Sequence, residues 1–196
     1  MSKAEYGPFE YVSATASQKC LDVYQGALAA QEAAAAAGTE VPADPELVIA
    51  ADTVVVTRAG EVLEKPRSAA DHGRMLRHLR DTRMHRVLTA VSVLAPKREA
   101  SHPGYAVAGH VEETKVFFAG ADDGLPDDVV DAYVATREGA DKAGGYALQG
   151  VGGLLLVERI EGCVDNVVGL PVRKTLQLVE QVCFRQDEEE AGSDEE

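Results

Sequence analysis

The first pattern in the chain is helical. Residues 15–37 are Ala-rich, carry Leu21, Val23 and Leu28 among good helix formers, and stop at Gly38. Residues 1–11 ahead of them are polar-aromatic and show no period, and residues 38–45 read as a Pro-containing loop. Residues 48–56, VIAADTVVV, form a β-branched apolar run of strand length. A turn, GEVLEKP, covers residues 60–66. Ser68 followed by Asp71 then gives a capping-box start to a helix whose Met75, Leu76 and Leu79 share one face.

Residues 86–94 and 105–118 read as two antiparallel strands with a Pro/Gly loop near residues 102–104 between them. Pro126 opens another helix, with Asp127 and Asp128 in the first turn, where the helix dipole favours acids. That helix should bury Val129, Val130, Tyr133 and Val134 and end near Gly139. A glycine-rich segment occupies residues 144–153, residues 154–160 look like a further apolar strand, and a last helix starts at Pro171. Its expected apolar stripe is Val172, Leu176, Val179 and Val182. Strands mixed with helices without strict βαβ alternation predict an α/β fold on a mixed sheet. There are no internal repeats.

Composition changes this picture at one end. The formal net charge is −14, and the last ten residues hold seven acids and no base. A like-charged segment with no apolar surface cannot order itself, so residues 187–196 are expected to be a disordered acidic tail after one domain over residues 1–186. Overall acidity argues against non-specific nucleic-acid binding, which needs Lys and Arg to replace phosphate counterions. The three cysteines, at 20, 163 and 183, have no metal-like spacing and suit a reduced intracellular chain. With no signal-peptide core and no apolar run of membrane-spanning length, a cytoplasmic protein with no membrane partner is expected.

Asp52 is the most informative residue for chemistry. It sits mid-run in an apolar strand, where an uncompensated carboxylate would cost several kcal/mol or be forced neutral. Metal ligation or general-base work would explain it. Accepting backbone N–H bonds or capping a loop would explain it equally. Glu61, Glu64 and Lys65 occupy the turn after that strand, as a solvated surface turn also would. Asp141 and Lys142 precede the glycines, which let backbone N–H groups approach a phosphate. Neither a Walker loop nor a dinucleotide fingerprint fits there. The histidines at 72, 78, 85, 102 and 110 form no metal-like pair and are expected on the surface.

Five segments in order carry more than any one alone. YVSATASQK (11–19), AADTVVV (50–56), GEVLEKPRSAADHGRMLRHL (60–79), HRVLTAVSVL (85–94) with VEETKVFF (111–118), and DKAGGYALQGVGGLLLVERIEGCVDNVVGLPV (141–172) together resemble the Maf family of nucleoside-triphosphate pyrophosphatases. The resemblance implies the Maf-like fold, related to that of inosine triphosphate pyrophosphatase: an elongated mixed sheet flanked by helices, with a central cleft. It implies hydrolysis of a nucleoside triphosphate between the α and β phosphates, with Mg²⁺ or Mn²⁺ as cofactor. Asp52 matches the family's Ala-Asp-Thr acid, a general base or metal-binding group. Lys19, Lys65 and Lys142 match lysines facing the phosphates, and Glu64 belongs to the same substrate-binding set. Thr53 and Gln149 match the specificity positions of the dTTP/UTP type, as opposed to the 7-methyl-GTP type. The family often dimerises, which leaves a homodimer open.

The chain departs from the family at its start, where the usual Ser-Pro-Arg-Arg phosphate-binding loop has no counterpart in this sequence. Two readings follow. One is an active pyrophosphatase on dTTP and UTP. The other is a catalytically inactive Maf-like isoform or binding module.

Overall fold

A computed structural model describes residues 6–97 and 104–184; the expected acidic tail and His102 lie outside the described residues. The element order is α1 (Pro8–Ala37), β1 (Val48–Val56), β2 (Val62–Leu63), α2 (Ala69–Thr82), β3 (Met84–Pro96) and β4 (Tyr105–Phe118), then α3 (Asp127–Thr136), a 3-10 turn (Ala143–Gly145), α4 (Val151–Leu155), β5 (Val157–Glu161), α5 (Val164–Val168) and α6 (Val172–Phe184). The strands form one five-stranded sheet in the order β2-β1-β3-β4-β5, flanked by helices as expected for an α/β fold. β1 pairs antiparallel with β2, Val55 opposite Leu63, and β4 pairs antiparallel with β5, Val116 opposite Ile160.

The chain forms two compact units: one from Met1–Val12, Thr53–Thr89 and Val111–Pro171, the other from Ser13–Asp52, Ala90–His110 and Val172–Glu196. It passes from one unit to the other five times, within α1, β1, β3 and β4 and at the start of α6. In the first unit, Val55, Val87, Val116 and Phe118 from the sheet pack with Leu76 and Leu79 of α2, Val130 and Tyr133 of α3, and Tyr146 and Leu156. In the second, Val91, Val93, Ala95 and Ala106 pack with Leu178 and Val182 of α6. Cys20 of α1 packs there with Val48 and Leu94.

Local chemistry explains most boundaries. β1 follows the apolar run residue for residue. At α2 the Ser68 hydroxyl accepts the Asp71 N–H at 3.1 Å, while the Asp71 carboxylate accepts from the Arg67 N–H at 2.9 Å, so the box closes one residue early. β3 and β4 are sheet neighbours, and beside their connection the Lys97 N–H donates to the Gly104 carbonyl at 2.9 Å.

Three expectations need correction. α1 begins at Pro8, not at Thr15, because its buried stripe is Val12, Ala16 and Cys20, and small residues hide such a period. The stretch expected as a strand from 154 starts as helix α4, and β5 begins only at Val157; Leu154 is 87% exposed. α6 buries Thr175, Leu178 and Val182, while Val172 and Leu176 of the expected stripe are exposed. A threonine lies on the buried face and a leucine on the open one, so apolarity alone misplaced it.

Candidate functional site

Asp52 lies near the middle of β1 with its side chain only 17% exposed. Its Oδ1 accepts a hydrogen bond from Lys19 Nζ at 2.5 Å, a charge-assisted contact between α1 and β1 inside one compact unit. The acid in the apolar strand is therefore compensated by a lysine. Lys19 itself is half exposed, so its remaining donors face water.

Asp52 and Lys19 belong to the second compact unit, and the other candidates lie in the first. Lys142 Nζ contacts both Asp141 carboxylate oxygens at 2.7 Å, and Lys65 also lies close enough to act on Asp141. These lysines hold the Asp141 carboxyl below the ordinary carboxylate range, the bond from Lys142 being the main cause. The glycines draw the two segments together. The Gly144 N–H donates to the Glu64 carbonyl at 3.1 Å, and Gly144 has φ +73 with its Cα turned to Val55, where a Cβ would meet Val55 Cγ2 at 2.6 Å. Glu64 uses its carboxylate elsewhere, accepting from the Tyr11 hydroxyl at 2.8 Å.

Gln149 projects from an exposed turn anchored at both ends. On one side the Ala147 N–H donates to the Tyr133 hydroxyl at 3.1 Å. On the other the Glu138 carboxylate accepts from the Val151 N–H at 2.9 Å and the Gly152 N–H at 2.8 Å, capping α4. The Tyr133 hydroxyl also bonds Glu138. Together these donors, led by the Gly152 and Val151 N–H groups, hold the Glu138 carboxyl below its usual range. Burial pushes the Tyr133 hydroxyl up to about 12, so it stays protonated. Sequence reading passed over Glu138 and took Tyr133 only as a buried residue of its helix. Nothing local marks Glu138, because an acid thirteen residues ahead of a helix start has no sequence-local meaning.

Thr53 joins a second network. Its Oγ1 lies 2.9 Å from Thr89 Oγ1 on β3, and Thr89 Oγ1 donates to the Asn166 carbonyl at 2.9 Å. Asn166, fully buried at the start of α5, also donates from Nδ2 to the Val87 carbonyl at 3.2 Å and to Thr114 Oγ1 at 2.9 Å. This network was invisible in sequence because its members are far apart along the chain.

Two histidines expected on the surface are buried, His72 at 2% and His85 at 0% exposure. His72 Nε2 sits 2.5 Å from the Gly145 carbonyl, so that nitrogen carries the proton. His85 Nε2 lies 2.8 Å from the Tyr146 hydroxyl, with the ring edge-on to Phe118. Burial pushes the His85 imidazole down to about 3. Both act as aromatic core residues with one polar anchor. A cavity of about 360 Å³ is lined by Arg80, Asp81, Arg83 and residues 120–123 and contains none of the candidates. Its arginines are already committed, Arg80 to Asp81 and Asp127, Arg83 to Glu158. Among the described residues no three His, Cys, Asp or Glu side chains converge.

Over most of its length the chain is similar to known proteins. The family described as Maf-like protein matches residues 2–182. The dTTP/UTP pyrophosphatase of Schizosaccharomyces pombe is 42% identical over 181 residues, covering 92% of this chain and 68% of that protein. The dTTP/UTP pyrophosphatase of Anaeromyxobacter dehalogenans strain 2CP-1 is 51% identical over 144 residues, 74% of this chain and 68% of its own. That of Vibrio vulnificus strain YJ016 is 40% identical over 147 residues, 75% and 71% respectively.

Proposed function

The chain belongs to the Maf-like protein family, and from that premise we propose that it hydrolyses dTTP and UTP to the nucleoside monophosphate and pyrophosphate. Its relatives' activity supports this reading, and one observation in the chain carries it: a shielded carboxylate, Asp52, in an apolar strand with a single lysine bonded to one of its oxygens. In the reaction, water attacks the α phosphorus and the α–β anhydride bond breaks, with pyrophosphate leaving.

Asp52 has one oxygen committed to Lys19, and the second is available to take a proton from water or to hold a cation. A hard carboxylate oxygen suits Mg²⁺ or Mn²⁺, which commonly binds one or two carboxylates and fills its remaining positions with phosphate oxygens and water. When bound, such an ion offsets triphosphate charge and orients the reacting groups. Lys19 spends one of three ammonium donors on Asp52 and can offer the others to phosphate oxygens. Lys65 and Lys142 give two further exposed cations, and a phosphate would compete with Asp141 for them. Thr53 and the anchored Gln149 are assigned to base recognition, an amide being able to donate and accept at an imide edge. The free state of Cys20, Cys163 and Cys183 suits a reducing cytoplasm, and no helix of the described residues is long and apolar enough to cross a membrane.

The test is pyrophosphate release from dTTP, UTP and 7-methyl-GTP with Mg²⁺ or Mn²⁺, comparing the chain with Asp52→Asn. Cleavage of dTTP and UTP is expected, with kcat reduced by roughly 10²- to 10⁴-fold in the variant. A folded chain that cleaves none of the three would return the binding-module reading. Preference for 7-methyl-GTP would sink the pyrimidine assignment.

A further inference from the structure

We propose that Thr89 and Asn166 are positioning residues that make the Thr53 hydroxyl an obligatory hydrogen-bond acceptor toward the nucleotide base, so that the site selects the imide N3–H of uracil or thymine over the bare N3 of cytosine. This rests on the assignment of Thr53 to base recognition made above.

The argument is an accounting of protons. Each threonine hydroxyl carries one proton and two lone pairs. A carbonyl cannot donate, so in the 2.9 Å contact between Thr89 Oγ1 and the Asn166 carbonyl the proton comes from Thr89. The opposite arrangement would set lone pairs against each other in a place with no water to relieve them, since Thr89 and Asn166 are fully buried. Thr89 has then no proton left for its 2.9 Å contact with Thr53, and Thr53 must donate there. The Thr53 proton is spent on Thr89, and what the hydroxyl of this part-buried residue offers to any further partner is lone pairs alone.

The surroundings hold this direction fixed. The Asn166 carbonyl also accepts the Gly169 N–H at 3.0 Å, so its acceptor sites are filled. The Asn166 side chain is pinned by the Val87 carbonyl and Thr114 Oγ1, and Thr114 is itself locked to Cys163 N–H at 3.0 Å. Gly169 lies beside Thr53: a Cβ there would come to 3.5 Å from Thr53 Oγ1, an ordinary contact distance, so the hydroxyl borders this glycine turn. At that position a uracil or thymine N3–H finds an acceptor, whereas a cytosine N3 would face lone pair to lone pair. A site that leaves a polar pair unmatched rejects the wrong ligand more strongly than one that loses a methyl contact.

The experiment compares kcat/KM for UTP and CTP in the unaltered chain, Thr53→Val, Thr89→Val and Thr89→Ser, with thermal unfolding midpoints recorded for each. Thr89→Val keeps shape but removes the acceptor for the Thr53 proton, so Thr53 becomes free to donate. The UTP:CTP ratio is expected to fall roughly tenfold in Thr89→Val and to recover in Thr89→Ser, which keeps the hydroxyl. Loss of activity on both substrates in parallel, with the ratio unmoved, would reduce Thr89 to a structural role and overturn the inference. If Thr89→Val does not fold, Thr89→Ala is read by the same ratio. An unmoved ratio in Thr53→Val shows that Thr53 does not face the base, which overturns this inference and leaves the pyrophosphatase reading standing. Cleavage of neither nucleotide by the unaltered chain overturns the proposed function itself.

Discussion

At the scale of single residues, the side chains that sequence placed on the outside are as instructive as those it placed in the site. Asp52 stood out because a carboxylate in VIAADTVVV contradicts its neighbours, and the structure supplies the compensation in Lys19. His85 gave no such signal, since a histidine in a strand can face either way. Its burial sets a pH dependence. The folded imidazole titrates near 3 and the unfolded one near 6.5, so between these values the unfolded chain binds more protons. The stability contributed by neutral His85 is complete above the unfolded value and is lost as pH falls below it, levelling off near 3. From pH 7 to pH 5 this amounts to about 2 kcal/mol. Urea unfolding at those two pH values should show that loss in the unaltered chain. His85→Gln should be less stable at pH 7, having lost ring packing against Phe118, yet show a flatter profile over the same interval. An equally steep profile in the variant would assign the acid sensitivity to other groups.

At the scale of elements, legibility followed the length and purity of each pattern. β1, the paired long strands and α2 were readable from β-branched runs and a capping signal. The glycine-rich segment was not, because what makes α4 a helix is Glu138, an acid outside the segment that caps it. The same contact fixes one end of the turn carrying Gln149, while Tyr133 fixes the other. Glu138→Ala therefore removes the cap and loosens the turn without touching Gln149. KM for UTP should rise several-fold, roughly threefold to tenfold, with a smaller change in kcat, as expected when substrate positioning is blurred. Steady-state kinetics on dTTP and UTP checks this, and a kcat defect as deep as that of Asp52→Asn would instead place Glu138 at the reacting atoms.

At the scale of the whole molecule, charge acts over distances that no contact reaches. Removing the seven acids of the last ten residues from the formal −14 leaves −7, so even without them an anionic nucleotide approaches a protein of its own sign. The lysines proposed for the site would act within a few Å, whereas the general repulsion is felt across a Debye length, about 30 Å at 0.01 M salt and about 8 Å at 0.15 M. Added salt therefore weakens the repulsion more than the attraction. KM for UTP should fall roughly twofold to fivefold as KCl is raised over that range. A rising KM would show that Lys19, Lys65 and Lys142 dominate the encounter. The chain is organised into two compact units whose membership switches inside continuous helices and strands. Periodicity could not mark these switch points, because those at 52/53, 89/90 and 110/111 fall inside continuous strands. Such interleaving has a genetic consequence. No single break in the coding sequence separates one unit from the other, so neither can be shuffled into a new gene as a cassette, and the two must be inherited, and must change, as one.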